Sequence, residues 1–160
     1  MNFKVFIKNI FLVAFATLIL SACATKTPSL KGQMQGDVYT GTDTVEYLAK
    51  GVPDRVFFAT NESVLTTASR DTLRKQAAWM RTNDSLSFTI EGHADERGTR
   101  EYNLALGERR ANAAKDYLMT YGISGNRLSV ISYGKERPVN SGSNPLAWSQ
   151  NRRSVTVKAN

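Results

Sequence analysis

Residues 86–122 read LSFTIEGHADERGTREYNLALGERRANAAKDYLMTYG, and they decide the fold. Leu86, Phe88 and Ile90 alternate with Ser87, Thr89 and Glu91, the period of a half-buried strand. From about Arg100 the period changes. Leu106, Ala113 and Tyr117, with Ala114, Leu118 and Tyr121, mark the buried face of a helix that runs to Tyr121. Gly122 suits the position just past the helix, where Ile123 can close back on Leu118. Strand and helix enclose a polar loop, Gly92-His93-Ala94-Asp95-Glu96-Arg97-Gly98. Loops at the carboxyl ends of such strands commonly carry function.

The pattern extends in both directions. Val56-Phe57-Phe58 reads as a short strand. Thr66 or Thr67 caps a helix to about Arg81, with Leu73, Ala77 and Met80 on one face. Arg127 to Tyr133 is a third strand. Residues 134–150 read as a long loop containing Gly134, Pro138, Gly142 and Pro145. Ser154 to Lys158 is a last strand with Val155 and Val157 inward. The order β-α-β-α-β-β predicts an α/β two-layer sandwich, with helices on one face of a roughly four-stranded mixed sheet. In it the strands joined through helices are parallel and the last is antiparallel. Further upstream, Asp43-Thr44-Val45-Glu46 matches a capping box, so one or two helical turns are expected before Gly51.

The whole chain has 160 residues, 41% of them apolar and 22% charged, which suits one ordinary domain plus a small remainder. One Cys and one His exclude an internal disulfide and a Cys/His zinc cluster. The remainder is N-terminal. Lys4 and Lys8 precede an uncharged stretch whose apolar heart, Ile10 to Leu20, reaches only about 16 Å as a helix, too short to span a bilayer. Basic residues, a short apolar run and small residues describe a secretory signal. Residues 24–41 lack an apolar period and read as a flexible tether, about 23 Å end to end as a coil. The domains expected are thus a signal peptide at 1–22, Cys23 and a tether to 42, and a folded domain at 43–160. The formal charge of +7 falls to +5 once Lys4 and Lys8 leave with the signal. Secretion also removes the case for a nucleic-acid partner.

Two resemblances add to this reading. Leu20-Ser21-Ala22-Cys23 resembles the bacterial lipobox, which implies acylation of Cys23 and an anchor in membrane lipid. Ala24 in place of Asp implies, by the sorting rules of enteric bacteria, the outer membrane. Over about residues 53–158, Gly92-His93-Ala94-Asp95-Glu96-Arg97-Gly98-Thr99, Glu101-Tyr102-Asn103, Leu106-Gly107-Glu108-Arg109-Arg110-Ala111, Ser132-Tyr133-Gly134-Lys135 and Asn151-Arg152-Arg153 resemble the OmpA-like peptidoglycan-binding domain family. The branch resembled is that of the lipid-anchored, peptidoglycan-associated proteins.

The resemblance implies a non-enzymatic, cofactor-free binder of the meso-diaminopimelate stem peptide, facing the periplasm. It also implies partnership with TolB and other Tol proteins, and a part in envelope integrity and cell division. Diaminopimelate presents an ammonium and a carboxylate together, so its receptor needs both signs at fixed separation. By resemblance, Asp95 takes the ammonium and Arg110 the carboxylate. Arg97 and Leu106 border the ligand, and Asn103, Asn151 and Arg152 support the site. Asn61 stands where the family usually has Asp and keeps hydrogen-bonding capacity without the charge. The alternative is a metal-dependent cell-wall hydrolase at Glu91, His93 and Asp95. A lone His is a weak basis for that reading. Trp79 and Trp148 read as packing or interface residues.

Overall fold

The computed structural model describes residues 34–159. The signal peptide, Cys23 and most of the tether lie outside the described residues. The chain enters through two short hairpins. β1 (Met34–Gln35) pairs antiparallel with β2 (Val38–Tyr39), and β3 (Tyr47–Ala49) with β4 (Val52–Pro53). The stretch from 34 is therefore structured where the sequence predicts tether. Its turn rests on Gly36 at φ 62°, a region open to glycine at little cost. Tyr39 is buried, its ring edge-on to Phe57 at 4.8 Å.

The capping box at Asp43 opens no helix. A turn or two of helix does not recover its nucleation cost unaided. The Glu46 backbone is instead taken by Asp54: Glu46 N–H donates to Asp54 Oδ1 at 3.1 Å, and Asp54 N–H to Glu46 O at 2.9 Å.

The body follows the expected order. β5 (Arg55–Phe57), α1 (Thr67–Thr82), β6 (Phe88–His93), α2 (Arg100–Thr120), a 3-10 turn (Gly125–Arg127), β7 (Leu128–Gly134), α3 (Pro145–Asn151) and β8 (Arg153–Lys158) succeed one another. The sheet order is β5-β8-β6-β7, with β6 and β7 parallel and β8 antiparallel to both of its neighbours. Thr66 and Thr99 cap the two long helices by accepting from the Ser69 and Tyr102 amides. At the end of α2, Gly122 N–H reaches Met119 O and Ile123 N–H reaches Leu118 O, the reciprocal closure expected around Gly122.

Val56, Phe88, Ile90 and Leu128 share one sheet face and pack against Leu73, Ala77 and Met80 of α1 and Ala111, Ala114 and Leu118 of α2. Three expectations change. First, Thr156 and not Val155 faces this core. Register places Thr156 opposite Ile90, so the alternation puts Val155 on the other face, and Thr156 Oγ1 donates to Gln76 Oε1 of α1 at 2.9 Å. Second, on α2 the buried line runs through Asn103, Leu106, Gly107 and Arg110, while Ala113 and Tyr117 are half-buried and Tyr121 is exposed. Third, the loop at 134–150 contains α3. Its N-cap is Asn144, which accepts from Ala147 N–H at 3.0 Å, and Pro145 opens it.

One contact explains two glycines of the quoted stretch. A Cβ on Gly92 would lie 1.9 Å from Gly107 O. Strand β6 and helix α2 thus meet backbone to backbone at the point where the polar loop begins.

Candidate functional site

β6, an inner strand, delivers the loop at 94–99 from its carboxyl end, where Ala94 N–H bonds Gly134 O of β7 at 2.8 Å. The loop then turns at Gly98, φ 90°, and enters α2. Side chains fasten it from three sides. Asn103 Nδ2 donates to Arg97 O at 2.8 Å, and Lys135 Nζ to Gly98 O at 2.7 Å. Trp148 of α3 donates to Glu96 Oε1 at 2.8 Å and carries the Arg97 guanidinium on its ring face at 4.4 Å.

Asp95 sits at the centre, 7% exposed. Arg97 grips it in a fork, Nε to Oδ1 at 3.0 Å and Nη2 to Oδ2 at 2.8 Å, and Arg97 N–H adds a third bond to Oδ1 at 3.1 Å. Arg152 Nη1 lies 3.3 Å from Oδ2. Burial pushes the Asp95 carboxyl up, but the hydrogen bonds and charge of Arg97, with those of Arg152, outweigh it and hold the group below the usual carboxylate range. Asp95 is therefore an anion at neutral pH.

Arg110 approaches from the other side and is 0% exposed. Its guanidinium donates to three main-chain carbonyls: Nε to Glu62 O at 2.8 Å, Nη1 to His93 O at 2.9 Å and Nη2 to Ala59 O at 3.0 Å. Burial and the nearby Arg152 charge push it down to about 10, so it stays charged at neutral pH. Arg110 ties the turn after β5 to the end of β6, and Asp95 pairs with Arg97 and Arg152 instead. Asn61 stands in that turn at φ 57°, a left-handed backbone that Asn tolerates better than most side chains. Leu106 is buried one helical turn before Arg110.

Arg152 is nearly fully buried and bridges the two sides. Its Nε donates to Phe58 O at 3.1 Å, and its amide and carbonyl belong to the end of α3 and to Phe58 N–H respectively. Asn151 stands apart from Asp95. Its Oδ1 accepts from Val139 and Asn140 N–H, and its Nδ2 donates to Asn140 O at 2.7 Å, which holds the segment before α3. Sequence reading gave no site role to Trp148, Lys135, Thr60 or Asp37. The Asn144-Pro145 cap was the one signal that could have placed Trp148 on a helix.

His93 lies behind the site on the opposite sheet face, buried, with its ring 5.6 Å from Tyr133. Burial, then the charges of Arg153, Arg55 and Arg137, push it down to about 3. Glu91 Oε2 is 3.6 Å from its Nε2. A neighbourhood of three arginines is a poor one for a cation. Among the described residues no group of three His, Cys, Asp or Glu is placed to hold a metal ion. The hydrolase alternative gains no support here.

A model of the OmpA family matches residues 57–152. The chain is 45% identical over 146 residues to the peptidoglycan-associated lipoprotein of Brucella melitensis, covering 89% of this chain and 87% of that one. It is 46% identical over 144 residues to that of Rhizobium meliloti, covering 88% and 82%. Among solved structures it is similar to the peptidoglycan-associated lipoprotein from Burkholderia pseudomallei, with TM-score 0.65 and 34% identity over 66% of this chain and 90% of that one. The C-terminal domain of Helicobacter pylori MotB, 18% identical at TM-score 0.62, shares the fold. With its polar loop, buried Asp95 and arginine frame in the matched region, the chain belongs to the OmpA family and, within it, to the peptidoglycan-associated lipoproteins.

Proposed function

We propose that this protein is a lipid-anchored outer-membrane protein whose periplasmic domain binds peptidoglycan noncovalently, and that it is not an enzyme. The relatives named above are peptidoglycan-associated lipoproteins. The observation that carries the reading is the buried Asp95 carboxylate with the Arg97, Arg152 and Arg110 guanidiniums gathered around it. A zwitterionic diaminopimelate end needs this combination of signs. Its ammonium can exchange for part of the Arg97 fork on Asp95. Its carboxylate can then take the guanidinium donors that the exchange frees, with the Arg110 charge behind them. Arg97, whose side chain is 42% exposed, is the group free to swing. Two of the three Arg110 bonds close on the turn at Ala59–Glu62, so opening that turn brings Arg110 to the ligand.

Retention on purified peptidoglycan sacculi tests the reading. Wild type is expected to be retained, and Asp95→Ala and Arg97→Ala to be lost at matched folded concentration. Equal retention of all three would sink the site assignment. Anchoring through Cys23 and cleavage before it are part of the same proposal. Mass spectrometry of the mature N-terminus should find an acylated Cys23.

The partnership with TolB and the Tol proteins rests on the family resemblance. The expectation is mutual exclusion between TolB and peptidoglycan. If TolB bound equally well with the site saturated by a diaminopimelate peptide, that part fails.

A further inference from the structure

The N-terminal hairpin places an acidic side chain at the same site. Asp37 stands at the tip between β1 and β2. Its Oδ2 accepts from Thr60 N–H at 2.6 Å, in the turn that Arg110 fastens. The Arg152 guanidinium lies 3.9 Å from the same oxygen and also bonds the Asp37 main-chain carbonyl. Through its Nη1 the same guanidinium contacts Asp95. Arg97 Nη2 is 3.4 Å from Thr60 Oγ1. A main-chain N–H beside a guanidinium is a corner built for a carboxylate, and the chain fills it with its own. The Asp37 side chain is 49% exposed, so the contact can open. The hairpin is pinned two residues later by Tyr39 against Phe57.

We propose that Asp37 is an internal occupant of the carboxylate corner formed by Thr60 N–H and Arg152, and that a wall peptide must displace it to bind. The inference rests on the reading of this site as the peptidoglycan site. It adds that the site is gated by the segment leading to the membrane anchor. Asp37 holds the Thr60 corner while the site is empty. A ligand carboxylate entering that corner ejects Asp37 and loosens the β1–β2 tip. Apparent affinity is then reduced by the fraction of molecules with the corner closed. Residues 34–37, once free of the tip and still held at Tyr39, add about 13 Å of reach to the chain on the membrane side. Engagement with the wall would therefore lengthen the tether.

The test compares full-length wild type, Asp37→Ala and Asp37→Asn. Two quantities are read: affinity for a diaminopimelate-containing stem peptide by calorimetry, and hydrogen exchange at the Thr60 amide without peptide. Asp37→Ala should bind about tenfold more tightly, the worth of one charged hydrogen bond. Its Thr60 amide should exchange faster than in wild type. Asp37→Asn should fall between the two, because it keeps an acceptor and loses the charge. Equal or weaker peptide affinity in Asp37→Ala, with wild type binding normally, overturns the gate. Equal Thr60 exchange in wild type and Asp37→Ala overturns the contact itself. Failure of all three proteins to bind the peptide overturns the peptidoglycan reading, and Thr60 exchange still decides whether Asp37 holds the corner.

Discussion

Arg110→Met separates the two roles that a buried arginine can have at this site. The substitution keeps much of the stem's bulk and deletes three hydrogen bonds, to Glu62 O, His93 O and Ala59 O. The bond to His93 O is buried, and a buried acceptor left without a partner costs about 1–3 kcal/mol. The other two bonds are partly buried, and their carbonyls can reach water with a small opening, for about 1 kcal/mol each. The expected loss is about 3–5 kcal/mol in total, a large share of a typical domain's stability. It should lower Tm by about 10–20 °C. Urea unfolding followed by tryptophan fluorescence reads the loss, and peptide affinity is measured below the transition. Arg110→Lys should recover part of the stability, since an ammonium can satisfy some of the three carbonyls. A loss under about 1 kcal/mol, together with abolished peptide binding, would refute the reasoning. Arg110 would then act on the ligand and not on the turn.

Three further outcomes are expected. Gly92→Ala should unfold the domain or lower its Tm by more than 10 °C (about 3 kcal/mol or more), because the new Cβ would sit 1.9 Å from Gly107 O; a thermal melt within a few degrees of wild type would contradict the close approach. His93 is held down to about 3 by burial and by Arg153, Arg55 and Arg137, so the unfolded chain takes up the proton first as pH falls through 6.5. Stability should drop by about 1 kcal/mol per pH unit between pH 6 and 5, above the carboxylate range. His93→Leu should flatten that slope in urea midpoints, and parallel slopes would rule the assignment out. Finally, Trp148 carries Arg97 on its face and Trp79 does not. Stem peptide should change the fluorescence of Trp79→Phe as it does wild type, and leave Trp148→Phe unchanged. The reverse pattern would place the ligand elsewhere.

Much was legible in residues 86–122 because their periods are local properties. Alternation at Leu86 to Ile90 and helical spacing from Leu106 to Leu118 need no knowledge of the partner element. The Gly122 closure is also local, and it appears where the sequence places it. Where two local signals competed, reading failed. The capping box at Asp43 lost to Asp54, eight residues beyond Glu46. The face of β8 was set by its register against β6, so the inward residue became Thr156. α3 was hidden because seven residues are too few to show a helical period.

By itself the sequence determined the β-α-β-α-β-β order of the body, the mixed sheet, the family, and which residues carry charge near the loop. Spacing along the chain cannot say which cation meets which anion, since each arginine has several partners within reach of its flexible stem. Tertiary structure alone decided that. It turned Arg110 toward three carbonyls, gave Asp95 to Arg97 and Arg152, and brought Asp37 from the N-terminal hairpin to the Thr60 amide. The physical reason is burial. A guanidinium removed from water must find every acceptor that the fold can offer, and those acceptors came from segments as many as 115 residues apart.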